Sequence, residues 1–75
     1  MKIKVLAGDW ANRYVTENEK ELVFSDKATV ADILQSLPIP AAEVGLTAVN
    51  GRAADRRFAL NDGDVVKLYP VIVGG

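Results

Sequence analysis

The chain ends Tyr69-Pro70-Val71-Ile72-Val73-Gly74-Gly75, and its best candidate for a reacting group is the α-carboxylate of Gly75. Cysteine and histidine are both absent. Their absence removes the thiolate nucleophile, the imidazole base and the usual zinc ligands together. The carboxylates are scattered, no serine or threonine has an evident general base, and no Gly-rich run precedes a helix. Asn61-Asp62-Gly63-Asp64 has a superficial likeness to a calcium loop, but it lacks that motif's alternating ligands and distal glutamate. It reads as a β-turn. Neither side-chain catalysis nor a metal site is expected.

An α-carboxyl group has a reference pKa of about 3.3–3.7, so at neutral pH Gly75 carries an anion, a poor electrophile. Adenylation by ATP would convert it into an acyl-adenylate, from which sulfur or an amine can displace AMP. That reaction requires the carboxylate to reach inside another protein. Five extended residues span about 17 Å, enough to enter a cleft that excludes a globular body. Gly74 and Gly75 suit such a tip, since a residue without Cβ accepts any backbone angle in a narrow channel. Tyr69, Pro70, Val71, Ile72 and Val73 would pack at the channel mouth and offset the entropy of ordering the tail. At an average glycine content of about 7%, a terminal Gly-Gly arises by chance in roughly one chain in two hundred. The alternative is that Val71–Val73 complete a strand and the glycines fray.

The elements that must position this tail are legible from pattern. Lys2–Leu6 alternates and reads as a strand with Ile3 and Val5 on one face. Gly8–Lys20 reads as a connecting loop with Trp10, Tyr14 and Val15 embedded, leading to a second strand over Glu21–Ser25. Thr29 is a helix N-cap with Asp32 in the first turn. Val30, Ile33, Leu34 and Leu37 follow as one helical face, stopped by Pro38 and Pro40. Leu46–Val49 is a short apolar strand, Asn50-Gly51 a hairpin turn, Arg52 the start of a short strand, and Val65–Tyr69 the last strand. One main helix on a mixed sheet of four to five strands is an α+β arrangement, with the element order of a β-grasp.

Composition bounds the rest. At 75 residues the chain is a single domain, residues 1–75, with an extended tail from about residue 70. The formal charge of −1 argues against nucleic acid, and no apolar run approaches the ~20 residues of a membrane span. The opening Met1-Lys2-Ile3-Lys4 has no signal-peptide character, and the lack of cysteine suits a reducing compartment. A cytoplasmic protein is expected. Arg52, Arg56 and Arg57 cluster after the hairpin, either as a solvated face or as a docking patch for an acidic partner.

The element order, the Asp62-Gly63-Asp64 turn before the last strand and the terminal Gly74-Gly75 resemble the ubiquitin-like sulfur-carrier family. Its molybdopterin synthase small subunits typically end Phe-Pro-Pro-Val-x-Gly-Gly; Tyr69 and Pro70 are similar, with Val71 in place of the second proline. Its thiamine-pathway carriers often end Val-Ile-Ala-Gly-Gly; Val71, Ile72, Gly74 and Gly75 match, while Val73 and the Tyr69-Pro70 pair depart. The resemblance implies a β-grasp (ubiquitin-like) fold with the first and last strands parallel and central. It implies a carrier rather than an enzyme, with no permanently bound cofactor. An adenylating enzyme resembling the ubiquitin activators would use ATP on Gly75. A sulfur donor such as a cysteine desulfurase or rhodanese would form the thiocarboxylate, and a biosynthetic enzyme would accept the sulfur. Two other readings share the fold: a protein modifier joined through Gly75 to lysines, and an interaction module that is never activated.

Overall fold

The computed structural model describes residues 1–72, so Val73, Gly74 and Gly75 lie outside the described residues. Five strands, β1 (Lys2–Ala7), β2 (Glu19–Val23), β3 (Val44–Val49), β4 (Arg52–Ala53) and β5 (Val65–Pro70), form one sheet in the order β2-β1-β5-β3-β4. The first and last strands, β1 and β5, are parallel and central, while the other pairs are antiparallel. The α-helix α1 (Val30–Gln35) covers one face. This is the β-grasp arrangement expected from the sequence.

Ile3 and Val5 of β1 lie beside Val66 and Leu68 of β5 and pack with Val30, Ile33 and Leu34 of α1. Alternation alone puts them there, because side chains at i and i+2 of a strand share a face. Lys4 and Lys67 consequently point to the open face of the sheet.

The helix is shorter than its apolar spacing suggests. Leu37 falls beyond it, half-buried against the core. Pro38 disfavours the α conformation at Leu37, and the last turn tightens: the Ser36 N–H is shared between the Asp32 and Ile33 carbonyls at 3.1 Å each. The Ser36 hydroxyl closes on the Asp32 carbonyl at 2.8 Å. A helix of six residues does not stand alone. Its start is held from outside, with the N–H groups of Val30 and Ala31 donating to the carbonyls of Phe58 and Arg56. Thr29 is the N-cap, and its backbone N–H donates to the Asp32 carboxylate at 2.8 Å.

The element limits differ from the sequence reading at several points, and β1 and β5 each run one residue further, to Ala7 and Pro70. β2 occupies Glu19–Val23 rather than 21–25, because Glu19, Lys20 and Glu21 lie on a sheet edge where charged residues can pair their backbones and still face water. The segment read as a plain loop includes a 3₁₀ turn, Asp9–Ala11, whose Ala11 is fully buried, and Trp10, Tyr14 and Val15 pack against the core. β3 begins at Val44, with a register shift between Val44 and Leu46. The shift reverses the alternation: Val44 and Thr47 are both buried, while Leu46, read as part of an apolar strand, is 48% exposed.

Both turns form as expected and are joined by one polar network. Asn50 (φ 52°) and Gly51 (φ 85°) build the β3–β4 turn. The Asn50 amide donates to Asp64 at 2.8 Å, and its carbonyl oxygen accepts from the Val65 N–H at 2.9 Å. Asp64, only 8% exposed, also accepts from the Asn61 N–H at 2.7 Å. Asn50→Ala removes two hydrogen bonds and leaves a Cβ residue at positive φ, whereas Asn50→Gly removes the bonds alone. Urea unfolding is expected to show both variants destabilised, with Ala the worse by about 1–2 kcal/mol.

Candidate functional site

The tail leaves the sheet from its centre. β5 is hydrogen-bonded on both sides, to β1 and β3, so the base of the tail is fixed by two neighbours. Pro70, placed by the sequence reading at the start of the tail, still pairs with Val44 inside the sheet. The Val71 N–H then donates to the Glu43 carbonyl at 3.0 Å. Ile72 is 90% exposed. The free reach thus begins after Val71 rather than after Pro70. The four residues 72–75 span at most about 13–14 Å, less than the ~17 Å read from sequence.

Of the expected docking residues, Tyr69 is 37% exposed and Val71 44% exposed. Tyr69 stands opposite Leu46 in the β3–β5 register, and the Lys67 ammonium lies 5.3 Å from the Tyr69 ring centroid. Leu46 was not singled out from sequence. Together Leu46, Tyr69, Val71 and Ile72 make a run of exposed apolar side chains leading into the tail. Val73, Gly74 and Gly75 are outside the described residues.

Gly45 is a second residue that the sequence reading passed over. A Cβ built there would lie 2.8 Å from the Pro70 carbonyl oxygen and 2.8 Å from the Val71 Cα. Both are backbone atoms and cannot rotate away. An isolated glycine inside a strand pattern is the signal that could have found it, since it marks a bulge or a close backbone approach. Gly45→Ala is expected to destabilise the fold by about 1–3 kcal/mol. It should also displace the base of the tail, read as a loss of hydrogen-exchange protection at the Val71 amide beyond that at Val66.

Among the described residues no group of three His, Cys, Asp or Glu is arranged to hold a metal ion. Asn61–Asp64 is a turn, with Gly63 at φ 87° and the Asp64 N–H donating to the Asn61 carbonyl at 3.1 Å. No helix of the described residues is long and apolar enough to cross a membrane. Arg52, Arg56 and Arg57 are exposed on and after β4.

A central strand that runs out of a β-grasp sheet into an exposed apolar tail defines a ubiquitin-like protein. The family model described as Mut7-C ubiquitin matches residues 5–73, and the chain belongs to that family. No curated protein matches it by sequence. Its fold is similar to the putative molybdopterin converting factor subunit 1 of Pyrococcus furiosus, at 25% identity and a TM-score of 0.80, over 96% of this chain and 99% of that one. SAMP1 of Haloferax volcanii shares the fold at 20% identity and a TM-score of 0.76, over 100% of both chains. So does a chain from a complex of molybdopterin-converting factor subunits 1 and 2 of Helicobacter pylori, at 24% identity and a TM-score of 0.65, also over 100% of both chains. The resemblance to the ubiquitin-like sulfur-carrier family therefore holds.

Proposed function

We propose that the protein is a sulfur carrier, acted upon by partner enzymes, whose working group is the Gly75 α-carboxylate. The single observation that carries this reading is the departure of the tail from the central strand β5, beside the exposed pair Leu46 and Tyr69. A central strand gives the tail a rigid base, and the apolar pair offers a docking surface next to it. Family membership supports the carrier class. The Pyrococcus furiosus similarity favours the molybdopterin branch of cofactor biosynthesis over the thiamine branch.

The chemistry runs in two steps, and this chain contributes the acyl group to both. A Gly75 carboxylate oxygen attacks the α-phosphorus of ATP on an adenylating partner, and pyrophosphate leaves. Sulfur from a persulfide on a desulfurase- or rhodanese-type donor then attacks the acyl carbon, and AMP leaves. A partner thiol cleaves the resulting acyl disulfide and frees the thiocarboxylate. That sulfur anion is the nucleophile delivered to the accepting biosynthetic enzyme. ATP is the partner's substrate, and no cofactor stays on the carrier. Acid–base groups come from the partners, which suits a chain without histidine or cysteine. A cytoplasmic location belongs to this reading, in keeping with a chain without cysteine.

Docking and adenylation are read together by exchange of labelled pyrophosphate into ATP. The adenylating partner should catalyse exchange only when this protein is present. Leu46→Asp and Tyr69→Asp put charge on the apolar pair at exposed positions and should leave the fold intact. Each is expected to lower exchange at least about tenfold, a loss of roughly 1.4 kcal/mol in docking. Full exchange by both variants would remove the sheet face from the docking surface.

A further inference from the structure

Beside the tail exit, on the other flank of β3, lies a groove of about 630 Å³. Leu34, Val44, Leu46 and Ala54 contribute its apolar lining, and Arg56 and Arg57 its charge. The flank is open because β4 is short. It pairs only with Ala48 and Val49, and the Ala54 N–H closes on the Thr47 carbonyl at 2.9 Å. Among the described residues no strand runs beside Val44, Gly45 or Leu46 on that side. The opposite edge of the sheet is different. β2 carries Glu19, Lys20 and Glu21 in succession, and mixed charge of that kind blunts an edge against further pairing.

Two features restrict what fits the open flank. The irregularity between Val44 and Leu46 prevents a long regular ladder, so a short extended segment suits it better than a second sheet. The guanidinium side of the groove selects charge. Asp55 is engaged in its own turn, accepting the Arg57 N–H at 2.8 Å, while the Arg56 guanidinium bonds only weakly to the Ala41 carbonyl at 3.3 Å. Arg52 adds a third cation on the neighbouring edge strand.

We propose that this groove receives a short extended acidic segment of a partner protein, laid along Val44–Leu46 with its carboxylates toward Arg56 and Arg57. Alternate apolar side chains of such a segment meet the lining, and its carboxylates meet the guanidiniums, with which they can form paired hydrogen bonds. The proposal does not depend on the chemistry at Gly75. It gives the carrier a second point of grip beyond the tail, one that adjoins the apolar pair at Leu46.

The test is an NMR titration of the full chain with the blocked peptide Glu-Val-Glu-Val-Glu-Val, alongside a Lys-Val peptide of the same length. The acidic peptide should shift amides of Val44–Thr47 and of residues 53–57, saturating near ~1 mM as befits so short a ligand. Added salt should weaken it, since charge carries part of the binding. Arg57→Glu leaves the Arg56–Ala41 contact in place and should weaken binding at least tenfold while retaining a folded spectrum. The double variant Arg56→Glu/Arg57→Glu should abolish it. Equal binding of the Lys-Val peptide, shifts confined to β2, or undiminished binding by Arg57→Glu would each overturn the proposal. So would shifts at these residues on raising the protein concentration without peptide, which would mark the flank as a contact between copies of this chain.

Discussion

Ile33→Ala is expected to lower the unfolding free energy by about 2–5 kcal/mol. Ile33 is fully buried at the centre of α1, and the helix has only Val30 and Leu34 as further buried residues. At ~0.05–0.15 kcal/mol per residue, a chain of 75 residues holds roughly 4–11 kcal/mol in total. The loss is therefore a large share of the whole. It should appear as a lower urea midpoint with an unchanged m-value, since the same surface is exposed on unfolding. Leu34 would be a less clean choice, because it also lines the groove beside β3. Gln35→Ala, at an exposed position of the same helix, should change stability by less than about 0.5 kcal/mol. Comparable losses at both positions would mean that α1 is not the element that closes the core.

Changes at the tail should have the opposite signature, abolishing activity without touching stability. Deleting Gly75 withdraws the carboxylate by one residue, ~3.3–3.6 Å, when nucleophilic attack needs approach to ~3–3.5 Å. Gly74→Val keeps the carboxylate in place but adds a stiff branched side chain where a narrow channel demands a free backbone. Both are expected to reduce thiocarboxylate formation to background. The core cluster of the described residues is complete without the tail, so thermal midpoints should match the parent within about a degree, the resolution that a few tenths of a kcal/mol allows. The reach makes this steep. With Val71 tethered to Glu43, only residues 72–75 are available to span a partner's channel, so a lost residue is not easily made up by fraying.

The buried faces of Ile3 and Val5 and of Val30, Ile33 and Leu34 were legible in the sequence, because strand and helix periodicities both declare them, while Val65–Tyr69 was legible as a strand without its inner face, Val66 and Leu68, being named. Asn50-Gly51 and Gly63 were legible as turns because positive φ restricts the residue types that can stand there. What stayed hidden depends on contacts between distant segments. Leu46 appears apolar and buried until the irregularity after Val44 rotates it to the open face beside Tyr69. Gly45 has meaning only through Pro70 and Val71, which approach it from a strand more than twenty residues away. β2 was read as a strand but two residues late, because an edge strand needs no apolar signature at Glu19 and Lys20 when its backbone alone is paired. The candidate site was read through its chemistry: a chain without cysteine or histidine that ends in Gly74-Gly75 directs attention to the tail. Its rigid base at Val71 could not be read from sequence, because the Glu43 carbonyl that fixes it comes from a turn remote in the chain.

Intact-mass analysis of the carrier after incubation with its adenylating partner, ATP and a persulfide donor tests the central claim most directly. The account predicts a product in which one oxygen is replaced by sulfur, mapped by fragmentation to Gly75, requiring ATP, and absent from the Gly75 deletion and Gly74→Val. An unchanged mass with the cognate partners present, or a folded Gly75 deletion that still supports sulfur transfer in cells, would contradict it and leave the protein as an interaction module.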